Sequence, residues 1–200
     1  GGDRWHNNWH GIRNRSGDEG FKFFIWDAEH TFLVESMNKG LHEDRTGPFP
    51  AGQQFGSSNP QWLWQQCLEN EEFRMRAADR IHELYYGEGL LTPKAVRAIV
   101  TKRMHEIESA VICESARWGD AARRDNPLNR DDHWRREMQQ ILETYIPQRS
   151  DMVLSQLFRQ GILPDFEPAV LSIENGKIEM SAGQGTIYYT LDGTDPRMIG

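Results

Sequence analysis

Apolar and polar residues alternate in two aromatic-rich stretches near the start of the chain. Residues 9–15 (WHGIRNR) and 21–26 (FKFFIW) flank the segment 16–20 (SGDEG), whose two glycines and Asp favour a chain reversal. The pattern predicts a β-hairpin. Residues 31 to 60 are rich in Gly, Pro, Ser and Asn with weak periodicity, which predicts a long ordered loop of the kind that often covers a functional site.

The next hundred residues carry apolar side chains at helical spacing. Capping residues, glycines and prolines predict five helices: 61–68, Asn70 to Gly87, Thr92-Pro93 to about Ser115, Asp131 or Asp132 to about Tyr145, and Ser150 to Gly161. Pro147 is expected to separate the last two helices. Their apolar stripes are predicted to form a core, with Phe158 among the inward residues.

Two features outside the helices also receive a structural interpretation. The connection 116–130 contains Arg117, Arg123, Arg124 and Arg130, and nearby aspartates predict that these arginines form local ion pairs. Large aromatic residues on a hairpin usually belong to a core. The same interpretation is therefore given to Trp5, Trp9 and Trp26.

Short strand patterns replace the helical pattern at about residue 166. Ala169–Ile173 and Lys177–Met180 flank Asn175-Gly176, a strong hairpin signal, and Gly185–Leu191 is predicted to be a third strand. The sequence therefore predicts an α+β chain with one domain at 1–165 and a second at 166–200. The second has roughly 35 residues, too few for an independent β-sandwich, so a truncated sandwich is expected.

Composition and charge narrow the classes of partner. The chain has 23 Lys and Arg residues against 30 Asp and Glu, a net charge of -7, so it lacks the basic field that binds a phosphate backbone. Nucleic acid is therefore not expected as a partner. No apolar run reaches the roughly 18 residues that a membrane span needs. Cys67 and Cys113 lack the close pairing of metal or redox motifs, which favours buried thiols.

Three oxygen-bearing side chains near the start form a candidate metal site. Asp3 and Asn8 are five positions apart, the spacing of the kinase catalytic loop H-R-D-x-x-x-x-N, in which the Asp faces the acceptor hydroxyl and the Asn binds Mg²⁺. Asp27 follows the strand FKFFIW, where a kinase places its second metal-binding Asp. Nearby histidines raise the alternative of a transition-metal site, but no His-x3-His spacing supports it.

Six segments, in order, resemble the CotH kinase family, relatives of the spore coat protein CotH. They are DRWHNNWHGIRNR, GFKFFIWDAEHTF, LTPKAVRAIV, ESARWGD, NRDDHW and YIPQRSDMVLSQL, and the resemblance covers about residues 1 to 164. It implies the C-terminal lobe of an atypical protein-kinase-like fold that binds ATP and Mg²⁺ and transfers the γ-phosphoryl group to Ser or Thr of a protein.

By motif, the resemblance makes Asp3 the catalytic-loop Asp, and Asn8 and Asp27 the ligands of the ATP-bound magnesium, with Asn7 as the alternative to Asn8. Glu29 and His30 would be neighbours of the site with unassigned roles. The chain departs from the protein-kinase pattern in two places. No His-Arg precedes Asp3, and Ala28-Glu29 follows Asp27 where a protein kinase has Phe-Gly.

A kinase of this kind also needs an N-terminal lobe with a phosphate-covering loop and a Lys for the α and β phosphates. No residues before Gly1 supply that lobe, so we expect this chain to be inactive by itself. Two alternatives remain open: a non-catalytic surface or adhesion protein that keeps the fold, and a metal-dependent hydrolase that uses the same carboxylates.

The tail GTIYYTLDGTDPR resembles the small β-sandwich module at the C-terminus of chitobiases and β-hexosaminidases. That resemblance covers about residues 167 to 200 and implies an accessory role rather than glycosidase activity. It also implies an extracellular or cell-surface location, with surface or carbohydrate association through the module. Asp192-Gly193 has an ordinary explanation as a turn.

Overall fold

The computed structural model describes residues 9–26, 29–32, 40–47, 60–165, 169–194 and 196. Helices and strands both occur, and both described sheets are small antiparallel pairs, which is compatible with the predicted α+β class. The chain divides into two compact units, residues 1–163 and 164–200.

The described part of the first unit starts with a β-hairpin and continues as helices. The elements are β1 (Trp9–Ile12), β2 (Lys22–Ile25), a 3₁₀ helix (Glu29–Phe32), α1 (Pro60–Cys67), α2 (Glu71–Tyr85), α3 (Pro93–Ala122), a π-helical turn (Arg130–Trp134), α4 (Arg135–Gln140), a second π-helical turn (Ile141–Tyr145) and α5 (Ile146–Arg159). The last four segments follow one another without a break. They are called the C-terminal helical run below.

The predicted caps of the first helices are confirmed. The Asn70 side chain accepts a hydrogen bond from the Phe73 N–H at 3.0 Å, and Thr92 Oγ1 accepts one from the Ala95 N–H at 3.4 Å. Each bond satisfies a backbone donor that the first turn of a helix leaves free. The sequence therefore placed the starts of α2 and α3 correctly.

The end of α3 was predicted wrongly. The helix continues through the sequence ARWGD to Ala122, because Gly119 does not end it. Gly119 lies against Leu128 in the connection that follows the helix. Its carbonyl accepts a hydrogen bond from the Leu128 N–H at 3.1 Å. A Cβ on Gly119 would lie 2.2 Å from the Leu128 carbonyl oxygen. The glycine is needed for close backbone approach rather than for a turn.

The start of the C-terminal helical run also differs from the prediction. Its cap is Asn129 rather than Asp131 or Asp132, since the Asn129 side chain accepts a hydrogen bond from the Asp132 N–H at 2.7 Å. Its amide group also donates to the Asp132 carboxylate at 2.9 Å. The predicted pairing of arginines in this connection holds for Arg130, which forms an ion pair with Asp131 at 2.9 Å. Arg117 instead lies over the Trp118 ring.

Pro147 does not separate two helices as predicted. It lies in the first turn of α5, directly after the π-helical turn Ile141–Tyr145. The wider turn directs the Ile146 N–H to the Ile141 carbonyl, and widening of this kind relieves the clash that a proline ring makes with the preceding turn. The next carbonyl, that of Leu142, accepts a hydrogen bond from the Arg97 guanidinium instead.

The buried core of the first unit lies where α3 meets the C-terminal helical run. It consists of Leu41, Ile141, Tyr145 and Ile146, with partly buried neighbours Phe32, Val96, Val100, Met138, Leu142 and Met152. The predicted stripe of α3 is only partly in this core, since Ile99 and Ile107 are about half exposed. Phe158 is likewise half exposed, while the polar Gln156 of the same helix is buried.

Helix α5 ends at the predicted glycine. Gly161 adopts a left-handed backbone with φ 68°, and its N–H donates to the Phe158 carbonyl at 2.9 Å while the Ile162 N–H donates to the Leu157 carbonyl at 3.1 Å. These two bonds form a Schellman cap, and the buried side chains of Leu157 and Ile162 accompany it.

The second unit contains one described hairpin, β3 (Val170–Glu174) and β4 (Lys177–Ser181). Asn175 and Gly176 both have positive φ, as the predicted two-residue turn requires. The predicted third strand is not formed: residues 186–190 pair with no strand of the described chain, and Leu191 is almost fully exposed. A strand requires a neighbour for its backbone groups, which alternating side chains alone do not supply. The predicted turn at Asp192-Gly193 is confirmed by hydrogen bonds from Thr194 to the Asp192 carboxylate.

Candidate functional site

The predicted site residues lie outside the part of the chain that the structure describes. This holds for Asp3, Asn7, Asn8 and Asp27, and for the side chains of Glu29 and His30. Their assignments therefore stay predictions. The described residues next to them in sequence show how the surrounding chain is built.

The hairpin β1–β2 connects two of the predicted metal ligands along the chain. Trp9 directly follows Asn8, Trp26 directly precedes Asp27, and the register pairs Trp9 with Ile25 and His10 with Phe24. Paired strands lie about 5 Å apart. The open end of the hairpin therefore places Trp9, the residue after Asn8, opposite Ile25, which lies two positions before Asp27.

Aromatic side chains cover both faces of this hairpin. On one face the Trp9 and Phe23 rings lie 5.8 Å apart, and Phe21 stacks on Phe23 at 6.2 Å. On the other face His10 stacks on Trp26, with centroids 6.0 Å apart and ring planes within 10°.

The predicted core role of the tryptophans holds only in part. Trp9 is half-buried, whereas Trp26 is 48% exposed, so its assignment to a core was wrong. Trp5 lies outside the described residues. The exposed aromatic surface of the hairpin thus reaches the residue that precedes Asp27.

The chain after Asp27 is attached to the C-terminal helical run at two places. The first is Phe32, whose ring meets the Tyr145 ring edge-on at 5.1 Å. The second is the segment Gly40–Gly47, part of the predicted loop 31–60, where Leu41 is buried against Ile141 and Tyr145. Residues five and fourteen positions beyond Asp27 are therefore packed against the same helix.

Arg149 holds the second attachment through backbone carbonyls. Its guanidinium donates to the Leu41 carbonyl and, at 3.1 Å, to the Glu43 carbonyl. This arrangement of Arg149 and the two carbonyls is called the Arg149 clasp. Because a guanidinium presents several donors in a fixed plane, one side chain can bind both carbonyls.

Two further side chains of α5 contact the same segment. Buried Gln156 donates to the His42 and Glu43 carbonyls at 3.4 and 3.3 Å, and Arg159 lies 3.6 Å from the Asp44 carboxylate. The Asp44 carboxylate also accepts hydrogen bonds from the backbone and hydroxyl of Thr46. Gly40–Gly47 is thereby fixed by main-chain contacts that its side-chain sequence does not reveal.

Burial, hydrogen bonds and nearby charges change the pKa values of two tyrosines and one aspartate around the clasp. Burial raises the pKa of Tyr85 and of Tyr145, and the positive charge of Arg149 opposes the rise in both. For Asp44, burial alone would raise the pKa, but the Thr46 hydrogen bonds and the attraction of Arg159 outweigh it and lower the pKa. Both tyrosines are therefore neutral at neutral pH, and Asp44 is ionised.

Sequence reasoning missed Arg149, Tyr145 and Gln156. Tyr145 and Arg149 are four residues apart in YIPQR, a spacing that places both on one side of a helix. That signal was hidden because Pro147 was interpreted as the end of the helix.

The remaining described surface offers no competing metal site. No group of three or more His, Cys, Asp or Glu residues in the described ranges could hold a metal ion. An open groove of about 460 Å³ lies between α3 and the connection that follows it, lined by Ile112, Ser115, Ala116 and residues 126–131. Cys67 is half-buried and Cys113 exposed, both as free thiols, so the prediction that both are buried was wrong for Cys113.

The family model described as CotH kinase protein matches residues 2–153. The chain belongs to the CotH kinase family. No curated protein matched the chain in a sequence search, and no solved structure matched it either. No helix of the described residues is long and apolar enough to cross a membrane.

Proposed function

We propose that the full-length protein transfers the γ-phosphoryl group of ATP to a Ser or Thr hydroxyl of a protein substrate, in a reaction that requires Mg²⁺. The observation that carries this proposal is the family match, which spans residues 2–153 and so includes all three predicted site residues. This chain would supply the C-terminal lobe of an atypical protein-kinase-like fold.

Each predicted residue has a chemical role that suits its side chain. Asp3 would accept a hydrogen bond from the substrate hydroxyl, orient it and take its proton as the bond to phosphorus forms. Asn8 and Asp27 offer an amide and a carboxylate oxygen, the hard ligands that Mg²⁺ prefers. The bound ion would neutralise charge on the phosphates. The hairpin supports a common location for the two ligands, because its paired end residues, Trp9 and Ile25, lie one position after Asn8 and two positions before Asp27.

The second unit is proposed to be the beginning of a chitobiase-type β-sandwich module, which would place the protein outside the cell or on its surface. The tail motif at 185–197 supports this proposal, and so does the β3–β4 hairpin with its Asn-Gly turn. In this arrangement the first unit would do the chemistry and the second would serve attachment.

Transfer of radiolabelled γ-phosphate by the full-length protein tests the reaction. With Mg²⁺ present, Asp27→Ala should lower the rate at least roughly 100-fold, the scale on which removing one group that stabilises transition-state charge acts. Asp18→Ala is the matched control, because Asp18 is exposed in the turn of the same hairpin, and it should retain the wild-type rate.

The alternatives give different results in this assay. Equal labelling by wild type and Asp27→Ala would refute the metal-ligand assignment. Absence of labelling with wild type would favour the non-catalytic binding protein. Release of phosphate or sugar without any ATP requirement would favour the hydrolase.

A further inference from the structure

The connection between β1 and β2 carries an asparagine that is followed two positions later by a serine. The chain has nine asparagines, and only Asn14 has Ser or Thr at that spacing with a residue other than Pro between them. The tripeptide Asn14-Arg15-Ser16 is the acceptor motif for N-glycosylation, which requires a surface loop of a secreted protein. A motif of three residues also arises by chance, so the geometry at Asn14 has to decide.

The structure brings the two functional groups of the motif into direct contact. The Ser16 backbone N–H and the Ser16 hydroxyl both donate to Asn14 Oδ1, each at 3.1 Å. The backbone bond is enough to form a turn of this kind. The hydroxyl bond is an additional contact, and it depends on the Ser or Thr that the acceptor motif requires.

The amide of Asn14 is accessible to a modifying enzyme. All three residues of the motif are exposed. The amide nitrogen, Nδ2, lies beside Gly17, where a Cβ would stand only 3.0 Å from it. Because glycine has no Cβ, Nδ2 is not crowded on that side.

The motif also lies at the end of the hairpin that is remote from the predicted metal ligands. It follows Ile12, which forms the last strand pair with Lys22, whereas Trp9 and Ile25 form the first pair at the opposite end. A group attached to Asn14 would therefore extend from the closed end of the hairpin.

We propose that Asn14 is an N-glycosylation site, a proposal that rests on the proposed extracellular location and not on phosphoryl transfer. The donor is a saccharide whose anomeric carbon is bonded to the pyrophosphate of a lipid carrier. Nδ2 forms a bond to that carbon as the bond from the carbon to the pyrophosphate oxygen breaks. The amide loses one proton, and the lipid pyrophosphate leaves with the electron pair.

The test compares the full-length protein, produced in its own host, with three variants of the motif. Asn14→Asp keeps an oxygen that accepts both Ser16 bonds but removes the nitrogen, and Ser16→Ala keeps the backbone bond but removes the hydroxyl. Ser16→Thr keeps the hydroxyl and is the conservative control. Lys177→Ser is the positive control, because it creates the same motif at Asn175, in the exposed turn of the β3–β4 hairpin.

Mass spectrometry of the chymotryptic peptide 10–21 measures the modification, and electron-transfer fragmentation locates the added mass. Wild type and Ser16→Thr should carry a glycan on Asn14, and both Asn14→Asp and Ser16→Ala should lose it. Exported wild-type protein with an unmodified Asn14 would overturn the inference, whether or not Asn175 of Lys177→Ser is glycosylated. A phosphate on Ser16 in place of the glycan would overturn it as well.

Cell fractionation and the γ-phosphate assay separate this inference from the proposed function. Wild-type protein retained inside the cell would overturn the proposed location and the glycosylation site together. Asn14→Asp should transfer phosphate at the wild-type rate, since Asn14 has no role in the reaction. A loss of transfer in this variant would overturn the view that the closed end of the hairpin serves only for attachment of the glycan.

Discussion

Gly119 occupies the closest approach between α3 and the chain that returns below it. In an exposed helix, replacing Gly by Ala stabilises by about 1 kcal/mol, because Ala has the higher helix propensity. Here the added Cβ would lie 2.2 Å from the Leu128 carbonyl oxygen, a backbone atom that cannot rotate away. Overpacking of this kind costs about 1–3 kcal/mol. The close contact therefore decides whether Gly119→Ala raises or lowers the stability of the protein.

We therefore predict that Gly119→Ala lowers the free energy of unfolding by up to about 2 kcal/mol, the cost of overpacking less the gain in helix propensity. Urea denaturation at constant m-value measures the change. Gly20→Ala is the matched control, because nothing lies within 4 Å of its added Cβ, and it should change stability by less than about 0.5 kcal/mol. A more stable Gly119→Ala protein would contradict the close approach.

At the scale of elements, Arg97 of α3 replaces a hydrogen bond that Pro147 cannot make. The π-helical turn Ile141–Tyr145 would continue with a bond from residue 147 to the Leu142 carbonyl, but proline has no N–H. The Arg97 guanidinium donates to that carbonyl instead. The bond joins α3 to the C-terminal helical run directly beside the buried core.

A double-mutant cycle tests this substitution of donors. Arg97→Met should cost about 1 kcal/mol, the value of one partly exposed hydrogen bond to a charged group. The cost should fall by at least about 0.5 kcal/mol when Pro147→Ala restores a backbone donor. Arg103→Met removes only the exposed pair with Glu106, so its cost should stay below about 0.5 kcal/mol in either background. If the effects of Arg97→Met and Pro147→Ala on the unfolding free energy are additive, Arg97 does not replace the missing Pro147 donor.

Local signals in the sequence predicted the elements that depend on local chemistry. Asn70 and Thr92 cap their helices, Gly161 ends α5 and Asn175-Gly176 reverses a hairpin, because each residue acts on backbone groups within its own turn. Gly119 and Pro147 misled the prediction because their effects depend on a distant partner. The partner is Leu128 for the first, and a π-helical turn with a guanidinium for the second.

The candidate site likewise has features that local sequence reveals and features that depend on distant partners. The family could be recognised from ordered local motifs, and the family match over residues 2–153 confirms that recognition. The roles of Asp3, Asn8 and Asp27 stay predictions. The Arg149 clasp could not be predicted, because a guanidinium that binds main-chain carbonyls more than a hundred residues away leaves no pattern in the side chains it serves.

At the scale of the whole molecule, the end of the family match and the end of the first compact unit lie within about ten residues of each other. The family match stops at residue 153, and the first compact unit stops at residue 163, after the Schellman cap of α5. The clasp, the core and the predicted site residues all precede this boundary. The second unit should therefore be dispensable for phosphoryl transfer and necessary only for attachment.

We predict that a variant truncated after Asp165 keeps kcat and the KM values for ATP and for the protein acceptor within about twofold of wild type. The reason is that the truncation removes no predicted transition-state contact. In cell fractionation the truncated protein should move from the surface fraction to the medium. Substitution of the exposed Leu191 by Ser in the complete protein controls for altered surface hydrophobicity. A loss of activity greater than about tenfold on truncation would mean that the second unit takes part in the reaction, and an unchanged surface fraction would refute its role in attachment.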